Sequence, residues 1–286
     1  MRSMPTALVA ALDANVVVIA GDDEDAVVTR TLGMLERRGV TVERLEPGDS
    51  ASIGSAVRSH DAVCNLVPVI DPPAGSIVHA LRGGARRRRH LFLASLAEAL
   101  SAAPETRLVQ RSTSALYADG GRHEIREDWP IEPNDATRMA LDAERLAHEH
   151  RQRGGAAVVL RLADPYGAED HWSSRLDLLA RRGWEPFDGP PDAYFPLVRP
   201  DDAAAAFAAA LFAPDGLYNV ASADVHTNAQ LNAIFSQRAG RELQPLYETY
   251  RSADRELRDR SCRLDTSTLA RATGWRPQPL FEGGLQ

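Results

Sequence analysis

The sequence predicts an α/β fold: a doubly wound parallel sheet with helices on both faces and a small C-terminal lobe. Three observations carry this. Valine-rich runs too continuous for half-exposed strands recur, as in "NVVVIAG", "DAVCNLVPV" and "AAVVLRLADPYG". Segments of helical periodicity separate them, the pattern of parallel strands joined by crossover helices. After Tyr166 the texture changes, with proline, glycine and aromatic residues crowding "GWEPFDGPPDAYFPLVRPDD". The expected division is a main domain over residues 1–165 and a lobe over 166–286 that closes over the C-terminal ends of the strands. Within the second part the chain is free to cross back to the main sheet.

Each element has its own signal. "NVVVIAG" is a strand buried on both faces, followed by Val28, Leu32 and Leu35 at helical spacing, with Gly39 as a stop. "VTVERL" and "DAVCNLVPV" are the second and third strands. "RHLFLASLAEALSAA" is an apolar helix, and "TRLVQRSTS" a strand that runs into a polar turn. "NDATRMALDAERLAHEHRQRG" is an amphipathic helix with Asn134 or Asp135 as its N-cap, and "AAVVLRLADPYG" a further buried strand. The lobe adds an alanine-rich helix, "DDAAAAFAAALF", a strand, "GLYNVAS", a helix near "NAQLNAIFSQRAG" and the terminal "STLARATGWRPQPLFEGGL".

Bulk properties exclude several classes. A formal net charge of -7 argues against a general nucleic-acid binder. Cys64 and Cys262 have no paired spacing, so neither a disulfide framework nor a zinc site is expected, and a reducing cytoplasm fits. No apolar run approaches the roughly 20 residues of a membrane span. Asp13 and Asn15 interrupt the N-terminal apolar stretch, which reads as part of a core strand rather than a leader. The chain contains no lysine, so every basic side chain is arginine or histidine.

The stretch "VVVIAGDDEDAVVTRTLGMLERRG" reads as strand, tight turn, helix, an arrangement that offers backbone N–H groups to a phosphate. Yet its turn carries Asp22, Asp23, Glu24 and Asp25. "RSTSALYADGG", "LRLADPYGAED", "VRPDDAAAAFAAAL", "LYNVAS" and "TGWRPQ" follow in an order and spacing that resembles an extended short-chain dehydrogenase/reductase of the NAD-dependent epimerase/dehydratase type, over nearly the whole chain. The resemblance implies a Rossmann-like fold, a Gly-x-x-Gly-x-x-Gly turn for NAD or NADP, a Tyr-x-x-x-Lys pair, and a homodimer through long helices. The sequence departs from that pattern at the functional positions. Of the three glycines only Gly21 remains, with Glu24 and Val27 at the others. A carboxylate a few ångströms from a diphosphate repels it by about 1 kcal/mol per pair even in water. Alternatively, the acids serve the helix N-terminus, where negative charge is favourable. Gly21 and Glu46, the latter placed to meet a ribose, are then vestiges of a cofactor site, and no cofactor is expected. Ala136 and Ala140 stand at the tyrosine and lysine positions. They clear space for a bulkier, less polar small molecule.

The remaining polar groups give the candidate site. Thr113, flanked by Ser112 and Ser114, matches the third member of the family's catalytic set, and Tyr117 follows in the same turn. They either bond a substrate oxygen or satisfy the local backbone. Asp164 replaces the family's asparagine and is a candidate general base or a turn aspartate before Pro165. His171 is a further candidate for proton transfer, and Tyr166 and Trp172 for substrate contact. "HEH" at His148–His150 is not a metal site, because residues two apart on a helix diverge, and no metal is expected. The five arginines of "RGGARRRRH" read as a solvated helix face, with phosphate binding or pairing with the acidic turn as the alternatives. The leading expectation is a cofactor-independent enzyme of small-molecule metabolism doing acid–base chemistry. The alternatives are a non-catalytic ligand-binding protein and a residual NAD(P)-dependent epimerase, dehydratase or reductase.

Overall fold

The computed structural model describes residues 15–20, 25–48, 50–70, 78–167, 171–245 and 253–281. Strand and helix alternate as the sequence pattern requires. β1 (Asn15–Ile19), α1 (Ala26–Arg37), β2 (Thr41–Leu45), α2 (Ser50–Ser59), β3 (Ala62–Asn65), α3 (Val78–Ala102) and β4 (Arg107–Thr113) form the first half. β5 (Glu124–Ile125), α4 (Arg138–Gln152), β6 (Ala157–Leu162), β7 (Asp164–Pro165), α5 (His171–Arg181), β8 (Leu197–Val198), α6 (Pro200–Ala210) and β9 (Gly216–Val220) come next. α7 (Asn228–Ala239), α8 (Ala253–Asp259), β10 (Arg263–Leu264) and α9 (Ser267–Thr273) complete the order.

Among the described residues the main sheet has six parallel strands in the order β2-β1-β3-β4-β6-β9. Successive side chains of a strand point to opposite faces. Val16 and Val18 therefore join the core under α1 and α6, while Val17 and Ile19 join the core under α2, α3 and α4. Both faces being covered is why β1 and β6 must be largely apolar. β2, at the edge, carries exposed Glu43 and Arg44 instead, which discourages pairing with another chain.

The second part of the chain does not form a wholly separate unit. α6 packs on α1, and β9 extends the main sheet beside β6, so the chain does cross back. The lobe itself is the β7–β8 pair, helices α5 and α7, and a cluster that includes Tyr166, Leu176, Phe187, Leu231 and Phe235. α7 has the reciprocal Thr227–Gln230 capping box and ends on Gly240 at φ 65°, a left-handed position that glycine takes without strain. One boundary differs from expectation: α4 begins at Arg138, not beside Asn134. The Asn134 side-chain oxygen accepts from the N–H groups of Ala136 (3.0 Å) and Thr137 (3.3 Å), a local turn that occupies the chain just before the helix.

A buried polar spine fixes the C-terminal edge of the sheet. Arg161 Nε and Nη2 donate to the two oxygens of Glu144 at 2.8 and 2.7 Å. The two side chains are 5% and 11% exposed, so this is a buried, bidentate pair joining β6 to α4. Ser112 donates to the same carboxylate at 2.5 Å, adding β4. The guanidinium lies 4.5 Å from the centre of the Tyr117 ring, and the Tyr117 hydroxyl donates to Asn219 Oδ1 on β9 at 2.7 Å. Asn219 Nδ2 then donates to the carbonyls of Ile125 and Asp265. Removing one partner strands a charge in the interior. Glu144→Ala should destabilise the fold by about 3–5 kcal/mol, read from urea unfolding curves, with Glu144→Gln less damaging. A loss under about 1 kcal/mol for Glu144→Ala would contradict the structural role assigned to the pair.

Candidate functional site

The spine's outer end opens on a cavity of ≈ 200 Å³ where β4 and β6 give way to the lobe. Ser114, Asp164 and Cys262 line it on the sheet side, and Trp172, Phe187 and Phe195 on the lobe side. The three rings touch one another: Trp172 and Phe195 are near parallel at 6.2 Å between centres, and Phe187 meets Phe195 edge-on at 5.2 Å. Such a wall excludes water and offers a flat apolar surface. The charged lining is balanced, with Asp164, Glu185 and Asp188 against Arg175, Arg258 and Arg260. Most of these arginines are committed. Arg260 donates to the carbonyls of Tyr117 and Glu132 and to Glu256. Arg258 Nε lies 3.1 Å from Asp188, although its N–H is not aimed at the carboxylate. Arg175 is exposed at the rim.

The predicted site residues divide. Ser114, Tyr117, Asp164 and Trp172 line the cavity. Tyr117, however, has its hydroxyl turned to Asn219, and burial holds its pKa far above the ordinary phenol range despite the neighbouring Arg161. That hydroxyl is committed to the fold, whereas the expectation had it transferring a proton to substrate. Thr113 does not line the cavity; its hydroxyl oxygen accepts from Ala115 N–H at 3.1 Å within its own turn. Ser112 serves the Glu144 carboxylate. Ala140 is fully buried in the core under α4, and Ala136 sits in the turn before that helix. The expected opening of a helix face toward the cleft by these two alanines is therefore not what the structure has: core packing takes the space. Tyr166 faces away, donating to Asp177 at 3.1 Å and accepting from Arg238 at 2.8 Å, with burial pushing its pKa up to about 12. His171 opens α5, and its side chain lies outside the described residues, as do Gly21 and the acids at 22–24. Glu46 is exposed just after β2.

Of the acidic turn, the described residue is Asp25, and it pairs with Arg111; the acids at 22–24 and the side chains of the arginine run as far as Arg86 lie outside the described residues. Asp25 is the N-cap of α1, accepting from Val27 N–H at 2.9 Å. Its other oxygen takes Arg111 Nη1 of β4 at 2.5 Å, and the same nitrogen donates to the Leu66 carbonyl. A carboxylate and its counter-cation thus occupy the helix end where this fold type would receive a phosphate. His150 of the "HEH" run is buried and bonds the Thr106 carbonyl, while His148 is exposed. Among the described residues no group of side chains could hold a metal ion. Nor, among them, is any helix long and apolar enough to cross a membrane.

These features belong to a known frame. A family model described as the NAD dependent epimerase/dehydratase family matches residues 8–221. The chain belongs to that family. Among solved structures, the UDP-glucose 4-epimerase of Thermus thermophilus in complex with NAD is 22% identical, with a TM-score of 0.71, covering 94% of this chain and 96% of the other. The dTDP-glucose 4,6-dehydratase from Bacillus anthracis in complex with NAD is 16% identical, with a TM-score of 0.72, covering 96% and 94%. Pal from Bacillus thuringiensis is 15% identical at a TM-score of 0.72, covering 94% and 96%. At these identities the likeness shows the fold alone. No curated protein matches.

Against the cofactor the family name implies, the described residues fit poorly. The first turn of α1 commits a donor to Asp25, and the chain has no lysine to offer an ammonium to a nicotinamide ribose.

Sequence reasoning did not single out Phe187, Phe195, Arg175 or Cys262 as site residues. Arg161 did carry a signal, a lone cation in the otherwise apolar strand "AVVLRL". Burial, then the charge of Asp164, pushes the Cys262 thiol up to about 12, against the hydrogen bond with Ser114 and the charge of Arg161. Burial pushes Cys64 to a similar level against the charge of Arg107. Raised in this way, both thiols favour the protonated form at neutral pH in the folded state. Iodoacetamide at about pH 8 should label them far more slowly in folded than in denatured protein. A raised folded pKa contributes stability in full below the unfolded value, so stability should fall as pH rises above about 8.5. Rapid labelling of folded protein, or stability flat from about pH 8 to 11, would contradict this.

Proposed function

We propose that this chain is a small-molecule enzyme on the epimerase/dehydratase scaffold that performs acid–base chemistry without a nicotinamide cofactor. Isomerisation, elimination of water, cyclisation and addition are the reactions of that class. What supports the reading is a formed cavity, lined by Asp164 and walled by Trp172, Phe187 and Phe195, together with the alanines, Ala136 and Ala140, at the positions where the family resemblance implies a tyrosine and a lysine.

Two carboxyl groups in one cavity but different surroundings can divide the roles of base and acid. Asp164 is fixed by the β7–β8 pairing, its own N–H donating to the Pro196 carbonyl at 3.2 Å. As base it takes a proton from the substrate. Glu185, half-buried on the lobe side, has its pKa raised by burial, which favours the protonated form that can give a proton back. For an isomerisation the proton returns to a different atom; for an elimination it leaves with hydroxide as water. The aromatic wall orients the substrate and keeps bulk water away. The balanced charge of the lining disfavours a nucleoside diphosphate as substrate, since two phosphates call for several cations and of the three lining arginines Arg260 is bonded to carbonyls of the fold and Arg258 lies against Asp188, which leaves Arg175 at the rim.

The competing reading is a nicotinamide-dependent epimerase or dehydratase, favoured by the family match and by the NAD-bound relatives. The test is untargeted mass spectrometry of a metabolite mixture incubated with the protein without added nucleotide. Consumption of a compound matched by a product of equal mass, or lighter by one water, supports the proposal if Asp164→Asn slows it by at least about 10²-fold. Turnover that occurs only when NAD(P) is supplied favours the competing reading. Turnover unchanged in Asp164→Asn removes that residue from the mechanism.

A further inference from the structure

We infer that a second cavity, across α5 from the first, binds a small carboxylic acid with an apolar body, and that Arg199 holds the carboxylate. Nothing in this depends on the chemistry proposed for the cavity of Asp164. The second cavity has a volume of ≈ 440 Å³. α5 divides the two: Trp172, Arg175, Leu176 and Leu179, at helical spacing, line the first, while Ser173, Ser174 and Asp177 line the second. Three arginines from three elements line it as well: Arg30 of α1, Arg199 at the start of α6 and Arg238 of α7.

These cations differ in what already holds them. Arg30 Nε lies 3.6 Å from Asp201 Oδ1, and Arg238 Nη1 donates to the Tyr166 hydroxyl at 2.8 Å. Arg199 is half-buried, and its side chain makes no hydrogen bond or ion pair among the described residues. Asp202, close by on α6, accepts instead from the Gln278 N–H at 3.0 Å. A guanidinium drawn partly out of water gains from an anion that completes it. The acids among the described lining residues are Asp177 and Asp201. Three cations against two carboxylates leave one positive charge, which a single carboxylate balances and a phosphate dianion overshoots. The planar fork of an arginine matches the two oxygens of a carboxylate. Pro200, Leu280 and the Phe281 ring, 5.7 Å from that of Tyr166, supply the surface for the apolar body.

Calorimetric titration of the whole chain at neutral pH compares benzoate, benzamide and phenyl phosphate, which share a ring and differ in charge. Benzoate should bind at least about 10-fold more tightly than benzamide, its neutral isostere. Arg199→Gln should remove that preference, and Arg199→Lys, which keeps the charge and loses the fork, should restore only part of it. Arg175→Gln, at the rim of the first cavity, should leave the preference unchanged, which puts the site on the Arg199 side of α5. The comparison of benzoate with benzamide on native protein stands even where a variant fails to fold. Equal affinities for those two overturn the inference, as does failure of benzoate to bind up to about 10 mM. So does a preference lost in Arg175→Gln and kept in Arg199→Gln, or phenyl phosphate binding more tightly than benzoate. None of these results touches the acid–base reading, which stands or falls on the Asp164→Asn turnover experiment.

Discussion

The buried pair of Arg161 and Glu144 is the constraint on which the rest of this molecule depends. A guanidinium in the middle of an apolar strand is tolerable only with a carboxylate in bidentate contact, and Glu144 reaches it from α4. That contact locks the register of α4 against β4 and β6, and Ser112 completes it. Tyr117 is stacked under the same guanidinium and tied to Asn219. The turn after β4, the end of β6 and the start of the lobe are thereby held to one another, and the cavity lies where they meet.

A second ion pair closes the N-terminal end of α1. Asp25 caps α1 and takes Arg111 from β4, so the chain supplies its own anion to the helix terminus and its own cation to the anion. Charge balance is met within the protein. The same logic holds in the cavity, where Arg260 and Arg258 are occupied by carbonyls and carboxylates of the fold.

Much of the fold was legible because parallel sheets write themselves plainly: a strand covered on both faces has little room for polar residues, and "NVVVIAG" and "AAVVLRLADPYG" therefore stand out. The start of α4 was not, because Asn134 uses its side chain on the turn before the helix rather than on the helix itself. The site was legible only where one segment carries it. Ser114 and Asp164 lie at strand ends whose order along the chain marks them, and Trp172 follows closely. Ala140 misled because an alanine facing a cleft and an alanine in a core look alike in sequence, and packing decides between them. Cys262 and Asn228 reach the cavity from far along the chain, and no local pattern places them there. Arg161 was visible as an oddity, but its partner lies 17 residues away on another element.

The central claim is that this member of a nicotinamide-using family works without the nucleotide. Calorimetric titration of NAD⁺, NADH, NADP⁺ and NADPH into protein shown to carry no co-purified nucleotide tests it most directly. The account predicts no binding up to about 1 mM for any of the four. A dissociation constant of about 1 μM for one of them would contradict it and return the chain to redox chemistry.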